Sequence, residues 1–146
     1  MDHNMGITLA AALIAALAVG QPVGPDHVGC NVTEQLVEHW HPHLTIEHRG
    51  AQVRVPAQIG FVQTGGIVLC LYWLHTHDDS GTIHVESPIP KVFTLGDFFA
   101  VWGQPLARTR VGPYRGHVRA YVNGAPYTGA PQNIPLLDGE QILLRI

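Results

Sequence analysis

The feature that most constrains this chain is the way short apolar stretches are broken by glycine-bearing turns. Arg49-Gly50, Asp78-Asp79-Ser80-Gly81, Asn123-Gly124 and Asp138-Gly139 each separate stretches suited to extended backbone. Glycine supplies the positive φ that tight hairpins need, and Asp and Asn bond their own backbone there. Around these turns the residues alternate, as strands do. Leu44, Ile46 and His48 alternate with Thr45 and Glu47, and Val53 and Val55 return after Arg49-Gly50. The stretch 82–86 (TIHVE) returns from the Asp78–Gly81 turn, and His117 to Val122 and Gln141 to Ile146 read as later strands. The run 67–74 (IVLCLYWL) is continuously apolar and predicts a central strand buried on both faces.

Two segments read as helices. In 94–102 (TLGDFFAVW), Thr94 can cap and Asp97 completes a capping box. Leu95, Phe98, Phe99 and Trp102 then form an apolar stripe, and Gly103 and Pro105 end the helix. Residues 33–39 (TEQLVEH) predict a shorter one, with Leu36 and Val37 facing inward. The expectation is a β-rich α+β fold: a single compact domain of about six or seven mostly antiparallel strands with one or two short helices.

Composition narrows the function classes. A chain of 146 residues has room for one domain with a real core. Hydrophobic residues make up 46% and charged ones only 13%, too apolar a balance for a disordered chain. Net charge is −3 and the eight Lys and Arg are scattered, so no basic patch points to nucleic acid.

Residues 7–19 (ITLAAALIAALAV) form a charge-free run too short to span a bilayer comfortably. It fits the core of a signal peptide, with Ala18 and Gly20 placed for cleavage after Gly20, although residues 1–6 lack Lys and Arg. Residues 1–20 therefore read as a signal peptide or N-terminal membrane anchor, 21–29 (QPVGPDHVG) as a linker, and 30–146 as the domain. Periplasmic or extracellular localisation follows. The two cysteines, Cys30 and Cys70, suit that compartment as a disulfide; a pair of thiolate metal ligands is the alternative, without the usual CxxC spacing. Asn31-Val32-Thr33 is a glycosylation sequon, meaningful only in a eukaryotic secretory pathway.

The chain holds ten histidines: His3, His27, His39, His41, His43, His48, His75, His77, His84 and His117. Seven fall between 39 and 48 or between 75 and 84, neither contiguous nor terminal as an affinity tag would be. On a strand, residues i and i+2 point to one face about 6.5–7 Å apart, so two such side chains can converge on a cation. The spacing occurs at His41-Pro42-His43 (extended back to His39), at His75-Thr76-His77 and at His84-Val85-Glu86. The last two lie on opposite arms of one predicted hairpin, about 5 Å apart across the strands. His41, His43, His75, His77, His84 and Glu86 are the candidate ligands, with His39 as an addition. Imidazole and carboxylate without sulfur suit Cu(II), Zn or Fe. Glu86 is also a candidate general base or a partner that fixes an imidazole tautomer. Asp78 and Asp79 read as turn residues, His3, His27 and His48 as unpaired surface histidines, and His117 as structural. A cupin would place Glu four residues after the second His of HxH, where this chain has Gly81.

The blocks EHWHPHLTI (38–46), VPAQIGF (55–61), CLYWLHTHDDSGTIHVESP (70–88), FTLGDFFAVWGQPL (93–106) and AYVNGAPYTGAPQNIPL (120–136) resemble an uncharacterised family of small exported or membrane-anchored prokaryotic His-rich domains. The resemblance covers roughly residues 30–146, and HTHDDSGTIHVESP is its most specific part. It implies a self-contained exported domain, with a Cys just before each His-rich block, and no particular activity.

Three functions remain open: a metal-binding module for buffering, delivery or sensing; a metalloenzyme using the ion for hydrolysis, hydration or oxygen chemistry, with a pocket walled by Trp40, Tyr72, Trp73 and Phe99; and a pH-sensing interaction domain without metal. Cuprous transfer usually employs Met and Cys, and the only methionines are Met1 and Met5.

Overall fold

A computed structural model describes residues 27–146; the segment 1–20, read above as a signal peptide or anchor, and most of the expected linker lie outside the described residues. The strands in chain order are β1 (Cys30–Asn31), β2 (Glu38–Trp40), β3 (His43–His48), β4 (Ala51–Val53), β5 (Phe61–Thr64), β6 (Ile67–Tyr72), β7 (Leu74–His75) and β8 (His84–Ser87). After helix α1 (Leu95–Trp102) come β9 (Leu106–Ala107), β10 (Arg110–Val111), β11 (Tyr114–Arg115), β12 (Arg119–Val122), β13 (Ala125–Tyr127) and β14 (Gln141–Arg145). The fold is the expected β-rich α+β domain. Among the described residues fourteen strands stand where six or seven were expected, because many are two- and three-residue pieces.

The largest sheet has the order β13-β12-β14-β3-β4. Its hairpins are those the turns announced. Arg49 and Gly50 take φ of 52° and 82° between β3 and β4, and Asn123 and Gly124 take 50° and 82° between β12 and β13. Both central residues at positive φ define the turn whose twist matches antiparallel strands. The β14–β3 pair is parallel, joining the last strand to one near the start of the domain. Alternation puts Leu44, Ile46, Ala120, Ile142 and Leu144 on the buried face. Helix α1 covers that core with Leu95, Phe98 and Phe99. Thr94 caps it through a complete capping box with Asp97, and Gly103 ends it in the left-handed conformation.

Two smaller sheets position the candidate site. One has the order β1-β6-β5, the other β2-β8-β7. Strand β6 is central in its sheet, yet Ile67 is 67% exposed and Val68 and Leu69 are also exposed, so the expectation of burial on both faces fails. An uninterrupted apolar run carries no period to say which face is covered, and here the first half protrudes as a hairpin with β5. The expected helix at 33–39 is also absent. The segment is irregular and passes into β2, and Leu36 and Val37 are exposed, leaving no apolar stripe to bury. At the other end, Val28 is fully buried and a Cβ on Gly29 would run into the Trp73 ring, so the packed domain begins before Cys30.

Cys30 and Cys70 form a disulfide between β1 and β6. It fastens the first described strand, which pairs through two residues only, to the middle of its sheet.

A histidine and carboxylate cluster as the candidate metal site

The site is one face of the sheet β2-β8-β7. In the register, His39 lies opposite Glu86, and His75 opposite His84. Trp40, Val85 and Leu74 form the alternate row, with Val85 and Leu74 fully buried in the core. The period of two therefore turns three apolar residues inward and sets His39, His75, His84 and Glu86 on the opposite face. His41 joins them: its ring lies 4.7 Å from that of His39 and 4.8 Å from that of His84. His77 comes in from beyond the end of β7, with its Nε2 3.2 Å from Nε2 of His75.

Local bonds aim these rings. Nδ1–H of His75 donates to the Tyr72 carbonyl at 2.8 Å, which leaves the Nε2 lone pair facing the cluster. Thr76, between the two histidines, is fully buried; its hydroxyl donates to the Pro56 carbonyl and accepts from the Ile59 amide. Phe61 packs edge-on against the rings of His75 and His77. The 78–81 turn returns the chain through an Asp78 carboxylate that accepts from the Ser80 amide, while Asp79 pairs with Arg54. Both turn aspartates are thus engaged outside the cluster, as expected for turn residues.

Glu86 is the centre of the arrangement. It is 3% exposed, and its Oε1 lies 3.3 Å from Nδ1 of His84 and 3.6 Å from Nε2 of His39. Its Oε2 lies 3.7 Å from Nε2 of His75. Ligand atoms at tetrahedral positions about 2.0–2.1 Å from a zinc ion are about 3.3–3.4 Å apart. The cluster is therefore spaced as a ligand set is, and slightly wide for direct hydrogen bonds to Glu86. Oε2 of Glu86 and Nδ1 of His84 are buried with no hydrogen-bond partner. Buried polar atoms are nearly always satisfied, so two orphans facing one another's neighbours mark a place where something else bonds. Two overlapping groups have ligand atoms close enough to hold a metal ion: His75, His77, His84 and Glu86, and His39, His41 and His84.

The electrostatics agree. Burial pushes His75 down to about 4, against the opposing bond to Tyr72. Burial first, and then the neighbouring histidines His77, His75, His41 and His39, push His84 down to about 4. Both are neutral at pH 7 and present lone pairs. Burial, and secondarily Glu34, raises the Glu86 carboxyl.

One candidate ligand is not brought in. His43 turns its Nε2 to the Ser80 carbonyl at 2.8 Å and belongs to neither group. The alternation that relates His41 to His43 does not survive Pro42, because the chain leaves one sheet there and begins β3 in another. His27 pairs with Asp97, His48 stacks on Tyr114, and His117 is exposed; none is in the cluster. Two carboxylates were not anticipated. Glu34 Oε1 lies 3.9 Å from Nε2 of His77. Asp138 accepts the His41 amide at 2.9 Å and lies 3.9 Å from its Nδ1. Asp138 was legible only as a turn residue, since its partner is 97 positions away. Of the aromatic residues expected to wall a pocket, Trp40 lies in the row facing away from the cluster. Phe99 instead lines a cleft of about 360 Å³ with Ile46, Val53, Trp102 and Tyr114, none of them a candidate ligand.

No protein-family model matches this chain, and no match was found among curated proteins or solved structures. Among the described residues, no helix is long and apolar enough to cross a membrane.

Proposed function

We propose that this chain is an exported metal-binding domain whose histidines hold a divalent transition ion, Cu(II) or Zn(II), for buffering or sensing outside the cytosol. The observation that carries the reading is the orphaned, buried carboxylate of Glu86 among imidazole nitrogens at 3.3–3.7 Å. A cation there satisfies the lone pairs that the folded chain leaves unmatched. The donor set of nitrogen and oxygen without sulfur suits these ions better than Cu(I). The disulfide supports an oxidising compartment. The apolar segment at 7–19 and the resemblance to small exported His-rich domains support export, and an uncleaved segment would add a membrane anchor.

A second reading, a metalloenzyme, is favoured by the openness of one side: His39 and His41 are 44% and 41% exposed, which gives water a route to the ion. Glu86 would then act as ligand or base.

Calorimetric titration of the full chain with Zn(II) and with Cu(II) at neutral pH tests the proposal. Binding with a Kd in the micromolar range or tighter is expected. The double variant His75→Ala/His77→Ala should lose it, whereas His48→Ala should keep it. Binding that survives the double variant, or is absent from the unaltered chain, overturns the assignment.

A further inference from the structure

The two candidate groups share His84, and Glu86 of the first reaches the second as well, because its two oxygens lie near different histidines. Oε2 faces His75, at 3.7 Å from Nε2; Oε1 faces His84 and His39, at 3.3 Å from Nδ1 and 3.6 Å from Nε2. An imidazole nitrogen carries its lone pair in the ring plane, so two rings can serve one ion only where their planes meet near it. The rings of His75 and His77 stand at 89°, with their Nε2 atoms 3.2 Å apart. Those of His41 and His84 stand at 90°, and those of His39 and His41 at 61°. By contrast, His75 and His84 are stacked, 9° from parallel with centroids 5.4 Å apart. Glu86 stands beside both of these rings, with Oε2 toward His75 and Oε1 toward His84. The oxygens of Glu86 thus divide the cluster into an inner set, His75 and His77, and an outer set, His39, His41 and His84, which is itself one of the two candidate groups.

We propose that the cluster holds two metal ions bridged by the Glu86 carboxylate, Oε2 on the inner ion and Oε1 on the outer. This rests on the metal-binding function proposed above and extends it from one ion to two. Bridged ions of this kind stand about 3.5–4 Å apart. Their mutual repulsion needs more than one negative charge nearby, and the chain provides it at both ends. Glu34 lies 3.9 Å from Nε2 of His77, beside the inner set, and Asp138 lies 3.9 Å from Nδ1 of His41, beside the outer set. Together with Glu86 they bring three carboxylates to two divalent ions. His75 is the most deeply buried of these ligands at 1% exposed, while His77 of the inner set and His41 of the outer stand at the surface at 39% and 41%.

The test is copper stoichiometry combined with electron paramagnetic resonance. The full chain, loaded with Cu(II) at neutral pH and dialysed, should retain two copper ions per molecule. Its resonance signal should integrate to less than the copper bound, because ions sharing a carboxylate couple magnetically. His41→Ala, an exposed change at the end of β2, should lower the content to one ion and restore a signal that accounts for all of it. Circular dichroism checks that this variant is folded. One ion in the unaltered chain, with no change in His41→Ala, overturns the second ion and leaves the metal-binding function standing. Two ions whose signals integrate in full overturn the Glu86 bridge. No retained copper overturns both.

Discussion

Replacing Glu86 by methionine should stabilise the metal-free protein and destabilise the metal-loaded one. The side chain is 3% exposed, and Oε2 has no hydrogen-bond partner. The nitrogen closest to the carboxylate, Nδ1 of His84 at 3.3 Å from Oε1, is itself unsatisfied and belongs to a ring that burial keeps neutral at pH 7. An unsatisfied buried polar group costs about 1–3 kcal/mol, and methionine offers similar length without that cost. A net gain of about 1–2 kcal/mol is expected in chelator. At about 4 °C per kcal/mol for a domain of this size, Tm rises by about 4–8 °C. With metal at a hundredfold excess over Kd the order reverses. The unaltered chain gains about 2.7 kcal/mol from binding, and the variant, short of its central ligand, loses most of that increment. Thermal unfolding followed by circular dichroism, in chelator and then with Zn(II), reads both effects. Two results would refute the reasoning: a metal-free variant that melts below the unaltered protein, which would make Glu86 a satisfied structural group, or a metal-dependent rise in Tm that the substitution leaves unchanged.

Further expectations follow from the same geometry. Burial holds His75 and His84 down at about 4 from an ordinary 6.5. The unfolded chain therefore binds more protons between those values, and metal-free stability falls as pH drops through that window, by about 3 kcal/mol for His75 alone at its lower end. The Glu86 carboxyl, raised from 4.5, works the opposite way and softens the loss. Urea titrations in chelator at about pH 7.5 and about pH 5 check this, and equal stabilities would count against it. Cys30→Ser/Cys70→Ser opens a loop of 40 residues, worth about 4 kcal/mol in the chain-entropy model, so Tm should fall by about 15 °C; a fall of only a degree or two would contradict the anchoring role. Gly81→Ala would place a Cβ against the Leu44 carbonyl at a φ of +93° in the turn before His84. It should cost about 2 kcal/mol or more and weaken metal binding, whereas Gly50→Ala, with open space around it, should leave binding intact.

Much of the fold could be read from local chemistry. The Arg49-Gly50 and Asn123-Gly124 turns announced their hairpins because positive φ is written into those residues, and Thr94, Asp97 and Gly103 marked both ends of α1. The His84–Glu86 arm and its pairing with His75 followed from the period of two across a legible turn. What failed depends on contacts distant in sequence. The parallel β14–β3 pairing has no local signature, and it places Asp138 beside His41. The apolar run 67–74 showed no period, so the exposed half of β6 was invisible. The TEQLVEH segment carries a helix-like cap, but strand pairing of Glu38–Trp40 with β8 captures its end. His43 was misplaced because alternation was carried through Pro42 into a different sheet.

The central claim is that His75, His77 and Glu86 meet at a metal ion. Anomalous scattering tests it most directly, using crystals of untagged protein purified without added metal and data collected on both sides of the copper and zinc absorption edges. The account predicts a strong peak about 2.0–2.2 Å from Nε2 of His75, Nε2 of His77 and Oε2 of Glu86. A map with no peak in the cluster, or with peaks only at His48 or His117, would contradict it.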